Sequence, residues 1–271
     1  MTAQATGRLR ARFSAAPEDM QAAQRLRHEV FIAARLGASD AGGGATGATR
    51  ATSARAQGLD ADEFDARCIH ALIEDSATGR LIGCFRMMHL ADGSQIARSY
   101  SAKHYELSAL ADYPSPMVEM GRFCVHPDHS SPDVLRVAWG AMSEYVENNR
   151  VGLLFGCSSF EGVDEDVYMD SFAYLSARHL APKRWLPRVK APAVFRFAAL
   201  LDLQRPDMKL AMKRMPPLLR TYLTMGGWVS DHAVIDRDLN TLHVFTGVEI
   251  DRVPSTRRRL LRMAQPQQAA C

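Results

Sequence analysis

No apolar run in this 271-residue chain approaches the roughly 18 residues that span a bilayer, so no transmembrane helix is expected. Met1 to Arg12 has no hydrophobic core segment, and a secretory leader is not expected either. Cysteine is scarce and scattered. Cys68, Cys84, Cys124, Cys157 and Cys271 make no C-x-x-C pair, which argues against a zinc site or a disulfide framework, and no metal ligand is assigned. Four of the five sit among strand-like residues and read as buried small hydrophobes in a reduced, cytoplasmic protein. Gly-x-Ser-x-Gly is absent, which excludes the nucleophile elbow of the serine hydrolases. No internal repeat is present. With 47% apolar and 23% charged residues, the composition is that of a globular chain and excludes wholesale disorder.

Residues 117–127 carry the strongest signal that is present. Glu119 and Arg122 stand three apart in an otherwise apolar strand. Strand side chains alternate faces, so regular pairing sends these charges to opposite sides. A bulge at Gly121 restores them to one face and frees backbone N–H groups. Preorganised N–H groups suit a thioester oxyanion, and a carboxylate, directly or through water, takes the proton of an attacking amine. Such chemistry needs no Ser or Cys nucleophile, and Cys124 has no base assigned beside it.

Around this strand, apolar patterning predicts a strand within 7–15 and a helix from Pro17, with Glu18 and Asp19 favourable in its first turn. Strands follow at 68–75 and 81–90 with Ala77-Thr78-Gly79 between them, and a helix after Ser131-Pro132-Asp133. A strand at 153–158, helices at 166–179 and 216–225, and strands at 228–235 and 241–248 complete the pattern. The fold class is α/β (α+β), a mixed, largely antiparallel sheet with a bulged central strand and helices on both faces. Gly37 to Gly58 is low-complexity, and its literal G-x-G-x-x-G (Gly42, Gly44, Gly47) neither follows a strand nor starts a helix, so it is no dinucleotide fingerprint. The resulting segments are 1–36, the N-terminal strand and helix of the domain; 37–58, a flexible low-complexity loop; 59–182, the core of the domain; 183–250, a basic extension with the terminal strands of the same domain; and 251–271, a basic tail.

Arg27, Asp62, Asp65 and Arg86 join Glu119 and Arg122 as charges embedded in apolar surroundings. A buried Arg86 within Gly83-Cys84-Phe85-Arg86-Met87-Met88 demands a carboxylate. Either these residues form a structural ion-pair network or they line an acidic pocket for a cationic amine, and the two roles are compatible. His70 and Asp75 match H-x-x-x-x-D, but five residues along a strand they face opposite ways. Residues 183–220 hold ten Lys or Arg and two Asp, a local charge of +8 against +3 for the whole chain. Such a surface attracts an acidic carrier protein, an anionic membrane or nucleic acid, unless it is only a solvated basic face. Pro192-Ala193-Val194-Phe195-Arg196-Phe197-Ala198-Ala199-Leu200-Leu201, apolar residues among these cations, suit a headgroup layer. Sparse aromatics argue against nucleic acid.

Asp62-Glu63-Phe64-Asp65, Gly83-Cys84-Phe85-Arg86 and Glu119-Met120-Gly121-Arg122-Phe123-Cys124-Val125, with Arg27 and Val30-Phe31, resemble the acyl-homoserine-lactone synthases. Gly121 to Pro127, Phe155 to Gly162 and Pro216-Pro217-Leu218-Leu219-Arg220-Thr221-Tyr222-Leu223 resemble more closely the ornithine N-acyltransferase family of ornithine-lipid biosynthesis. The resemblance runs from about Arg27 to Val248. It implies a GNAT-type fold and transfer of a 3-hydroxyacyl group from acyl carrier protein to the α-amine of L-ornithine. Glu119 and Arg122 are then catalytic, and Asp62, Asp65, Arg86 and Arg27 bind substrate. Phe123, Cys124 and Val125 form the strand along the pantetheine thioester, and Lys209, Lys213 and Arg214 face the carrier or the membrane. No bound cofactor is expected beyond the carrier's phosphopantetheine, since the Q/R-x-x-G-x-G loop of coenzyme A users is missing. The implied place is the cytoplasmic side of the inner membrane, peripherally attached. A signal synthase of the homoserine-lactone type, or a non-catalytic lipid- or nucleic-acid-binding protein, is the alternative.

Overall fold

The computed structural model describes residues 4–6, 8–33, 57–129, 132–202 and 204–257. Most of the 37–58 loop, Ser131 and the arginine cluster from 258 onward lie outside them. Eleven strands occur among the described residues: β1 (Gln4–Thr6), β2 (Leu9–Ser14), β3 (Ile69–Asp75), β4 (Leu81–Leu90), β5 (Tyr105–Glu106) and β6 (Met117–Val125), then β7 (Leu153–Glu161), β8 (Arg188–Val189), β9 (Val194–Phe195), β10 (Trp228–Asp236) and β11 (Thr241–Glu249). The α-helices are α1 (Pro17–His28), α2 (Ser101–His104), α3 (Pro132–Asn148), α4 (Met169–Arg178), α5 (Phe197–Leu200), α6 (Met208–Arg214) and α7 (Pro217–Thr224). The chain divides into two compact units, residues 1–88 with 120–149 and 256–271, and residues 89–119 with 150–255.

In the first unit β1, β2, β3 and β4 pair antiparallel in sequence order, and β6 adjoins β4. The turn from β3 to β4 is set by its own residues. Asp75 accepts from the Ala77 and Thr78 N–H groups at 2.9 and 3.2 Å, and Gly79 takes φ +70°, which a side chain resists. Helix α1 opens on Pro17 with Glu18 and Asp19 in its first turn. Asp19 receives both Arg12 guanidinium nitrogens at 2.6 Å. Ala23 and Leu26 of α1 bury against Leu72, Cys84 and Cys124. After His28 the helix widens into a π-turn, Glu29–Ala33. Helix α3 buries Val134, Val137, Ala138, Ala141 and Met142. A Cβ on Gly83 would meet Val134 Cγ1 at 3.2 Å and the Cys124 carbonyl at 3.3 Å. The small residue lets helix and strand approach.

In the second unit β6 runs parallel to β7 from Met117–Leu153 to Glu119–Phe155. Strand β7 then pairs antiparallel with β11 over nine residues, β11 with β10, and β10 with β9. The sheet is therefore mixed and mostly antiparallel, as the patterning implied. Strand β7 runs three residues beyond the expected Ser158. Strand β11 lies between β7 and β10 and draws the C-terminal strands into one sheet with β7.

The reading of Phe195, Phe197 and Leu201 as headgroup residues is corrected here. Phe197 is fully buried, and Phe195 and Leu201 nearly so, in a core with Phe160, Phe172, Leu219 and Val244. The Phe172 ring lies 5.3 Å from that of Phe195 and 5.1 Å from that of Phe197. Apolar residues between cations look alike in sequence whether lipid or a helix covers them, and here α4 supplies the cover. Leu200 and Met208 remain exposed. Among the described residues no helix is long and apolar enough to cross a membrane.

Candidate active site

Three arginines and three aspartates converge in the first unit. Arg27 reaches from α1, Arg86 from β4 and Arg122 from β6, while Asp60, Asp62 and Asp65 come from the loop entering β3. Arg27 grips Asp65 in a fork, Nη1 to Oδ1 at 3.0 Å and Nη2 to Oδ2 at 2.8 Å. It also holds Asp60 through Nε at 3.1 Å and through the Asp60 carbonyl. Arg86 bonds Asp62 and Asp65 at 2.6 Å each through Nη1, and Asp62 again at 2.8 Å through Nη2. Gln24 donates to Asp65 at 2.9 Å. Burial alone would raise the Asp65 carboxyl, but Arg27 and Arg86 hold it well below the usual carboxylate range. Asp62 is lowered likewise, burial opposing and Arg86 then Arg122 prevailing. Equal numbers of the two charges and dense hydrogen bonding make this burial tolerable.

The network has a closed end and an open end. The side chains of Arg27, Asp65 and Arg86 are 1%, 2% and 4% exposed, those of Asp62 and Arg122 22% and 15%. Arg122 meets Asp62 at 3.3 Å and Asp60 at 3.7 Å. The ion-pair foundation is therefore visible, with a carboxylate and a guanidinium at its rim. Asp60 was missed by the motif reading. Counting charges gave no signal for it, since Arg27, Arg86 and Arg122 were already matched by Asp62, Asp65 and Glu119.

Within β6, Arg122 takes the left-handed φ of +55°. Left-handed backbone costs a non-glycine residue about 1–2 kcal/mol. The ion pairs to Asp62 and Asp60 fix the guanidinium and offset that cost, so tertiary contacts rather than intrinsic preference choose the position. Phe123 stacks on Phe85 at 5.9 Å between centroids, whereas Cys124 points into the core, 3.5 Å sulfur to sulfur from Cys84. The neighbouring thiol and burial push the Cys124 thiol far up, which makes it a poor nucleophile. Val125 ends the strand half-buried. His70 and Asp75 do not act together. His70 Nε2 lies 3.1 Å from the Asp65 carbonyl, and Asp75 holds the hairpin turn.

Glu119 belongs to the second unit, where it anchors α2. One carboxylate oxygen accepts from the Ser101 N–H at 2.7 Å and the Ser101 hydroxyl at 2.6 Å, the other from the Tyr100 N–H at 2.7 Å. Ser101 Oγ also lies 3.5 Å from Cys157 Sγ. Burial pushes the Cys157 thiol up to about 12, with the Glu119 and Asp236 charges adding to it. No sequence spacing ties residue 101 to residue 119, so this turn was not legible beforehand. Lys209 and Lys213 stand exposed one turn apart on α6. Asp207 caps that helix through the Lys209 and Leu210 N–H groups, and Arg214 donates to the Val167 carbonyl.

A mixed, mostly antiparallel sheet with helices is the build of GNAT-type acyltransferases, and the Acetyltransferase (GNAT) domain model matches residues 26–140. The chain is an acyltransferase. The L-ornithine N(alpha)-acyltransferase of Rhodobacter capsulatus is 31% identical over 232 residues, 84% of each chain. That of Brucella abortus is 29% identical over 256 residues, 92% of this chain and 87% of the relative. The chain belongs to the L-ornithine Nα-acyltransferase family. Among solved structures, a CoA-dependent acyl-homoserine lactone synthase aligns with 95% of this chain and 89% of its own, at TM-score 0.49 and 15% identity.

Proposed function

We propose that this protein moves a 3-hydroxyacyl group from the phosphopantetheine thioester of acyl carrier protein to the α-amine of L-ornithine, giving lyso-ornithine lipid. The observation that carries this reading is the 31% identity shared with an L-ornithine N(alpha)-acyltransferase over 84% of both chains. In the reaction the amine nitrogen bonds to the thioester carbonyl carbon, the C–S bond breaks, and the carrier leaves as its thiol. The ammonium must first lose a proton, for which Glu119, directly or through one water, is the acceptor. Asp62, at the open end of the Arg–Asp network, faces the cationic amino acid. Arg122 and Arg86 orient it, while Arg27 and Asp65 hold the foundation. The Phe123–Val125 backbone runs beside the pantetheine.

Lipid mass spectrometry of a heterologous bacterial host expressing the chain tests the class: a new acyl-ornithine species is expected. Acyl lactones in the medium, or no new lipid, would overturn the reading. At the residue level, Asp62→Asn is expected to raise KM for ornithine about tenfold or more with little change for the acyl donor, since one charge-assisted contact is lost. Equal losses toward both substrates would count against the assignment.

The basic face of α6 supports a carrier-protein donor, because acyl carriers present acidic surfaces to their partners. Replacing Lys209, Lys213 and Arg214 together by Glu is expected to raise KM for the carrier, more so at low salt, and to leave that for ornithine near its original value. The same cations, with exposed Leu200 and Met208 nearby in sequence, support reversible attachment to anionic membranes. Co-sedimentation with anionic liposomes that weakens as salt rises is the expected result. Unchanged constants and no liposome binding at low salt would reduce the segment to a solvated face.

A further inference from the structure

Three residues that the acyl-transfer chemistry leaves unused meet in the second unit. His104 ends α2, Asp236 ends β10, and His243 lies on β11. In the β10–β11 ladder His243 faces Val234, and Asp236 faces Thr241. Asp236 and His243 are thus diagonal neighbours on one face of the sheet. A ring nitrogen of each histidine and a carboxylate oxygen of Asp236 all lie within 4.8 Å of one another.

His243 is prepared for a further partner. It is 2% exposed, and its Nε2 is buried without a hydrogen-bond partner. The Tyr105 hydroxyl donates to the His243 carbonyl at 2.7 Å and lies 3.2 Å from His243 Nδ1. With its one proton committed to the carbonyl, Tyr105 can only accept from Nδ1–H. The tautomer is therefore set, and the Nε2 lone pair is left over. A buried lone pair without a donor is costly, and a metal ion supplies what is missing. A hydrogen-bonded Nδ1–H opposite a ligating nitrogen is the usual support of a metal-bound histidine. Asp236 is oriented too, one oxygen accepting from the Leu239 N–H at 2.9 Å.

We propose that His104, Asp236 and His243 bind a divalent transition-metal ion of the zinc class. Two imidazoles and one carboxylate are a nitrogen-rich donor set that suits zinc or cobalt and not the all-oxygen preference of calcium or magnesium. With metal–nitrogen bonds of about 2.0–2.1 Å, two imidazoles on one tetrahedral ion hold their ring centroids roughly 5 Å apart. The His104 and His243 centroids are 5.0 Å apart. His104 and Asp236 are only partly buried, so small rotations bring their donor atoms to bonding distance. Three protein ligands leave a fourth position open to water or to another ligand.

The test uses untagged, chelator-stripped full-length protein, titrated with Zn²⁺ by calorimetry and with Co²⁺ by visible absorption. One ion per chain is expected, with the d–d bands of tetrahedral cobalt. Asp236→Asn and His104→Gln, both at partly exposed positions, should each weaken Zn²⁺ binding about tenfold or more while circular dichroism stays that of the stripped parent. Tyr105→Phe, which frees the His243 ring, should cost about 10–100-fold. Should His243→Gln fail to fold, the first two variants decide. No saturable uptake, or uptake unchanged in Asp236→Asn and His104→Gln, would overturn the proposal.

Discussion

Replacing Arg27 with Met is expected to lower the stability of this protein by about 3–5 kcal/mol, the cost of stripping one partner from a buried ion pair. A domain is stable by about 5–15 kcal/mol in all, so the variant is expected to be poorly folded at 37 °C. Methionine fills much of the space but leaves Asp60 and Asp65 without the fork that neutralises them. Arg27→Lys is expected to recover little, since one ammonium cannot span two carboxylates and a carbonyl. Adding Asp65→Asn to Arg27→Met should restore part of the loss, because the orphaned charge is removed. Urea denaturation measures all three, and a loss below about 1 kcal/mol for Arg27→Met would sink the argument. The pH dependence gives a second readout. The Asp62 and Asp65 carboxyls are depressed in the folded protein, so their contribution is full above the unfolded value of about 3.9 and is lost as pH falls through the folded values. Stability of the parent should therefore drop on acidification below about pH 4, and that slope should flatten in Arg27→Met.

How much of this was readable in advance depends on where each element's information resides. Strand β4 and the β10–β11 hairpin came out within a residue or two, since apolar patterning and turn residues are local signals. Arg27, Asp62, Asp65, Arg86 and Arg122 were legible as one constellation because charged residues in apolar segments must find each other. Asp60 sits at the end of a low-complexity stretch and gave no local cue of burial. The left-handed backbone at Arg122 in β6 was not legible for a related reason. Glycine tolerates φ > 0 best, but contacts some 60 residues distant in sequence put the strain on Arg122. Single-turn α2 was invisible because it is held by Glu119 from a different strand. His104, Asp236 and His243 were invisible as a group, since residues 104 and 243 come together only through the sheet. Phe195 and Phe197 show the converse error, a pattern with two physical explanations that only the packing of Phe172 separates.

Glu119→Gln is expected to cut turnover by about 10²-fold or more, within the range general-base catalysis contributes. The structure makes this a sharper test than the sequence alone, because Glu119 also anchors α2 through Tyr100 and Ser101. Glutamine keeps one acceptor oxygen but turns the other into an NH₂ group facing an N–H donor, so a purely structural role also predicts some loss. Two comparisons divide the cases. Ser101→Ala removes the hydroxyl bond and loosens α2 without touching the carboxylate. If anchoring is all Glu119 does, Ser101→Ala and Glu119→Gln should lose activity alike, with thermal stability falling in step. If the carboxylate accepts the amine proton, Glu119→Gln should lose far more, with its melting temperature close to that of Ser101→Ala. The dependence of turnover on pH separates them again: the acidic limb, where a base becomes protonated and fails, should vanish in Glu119→Gln and persist in Ser101→Ala. A limb unchanged in both would remove Glu119 from proton transfer and leave it as the residue that positions the Ser101 turn.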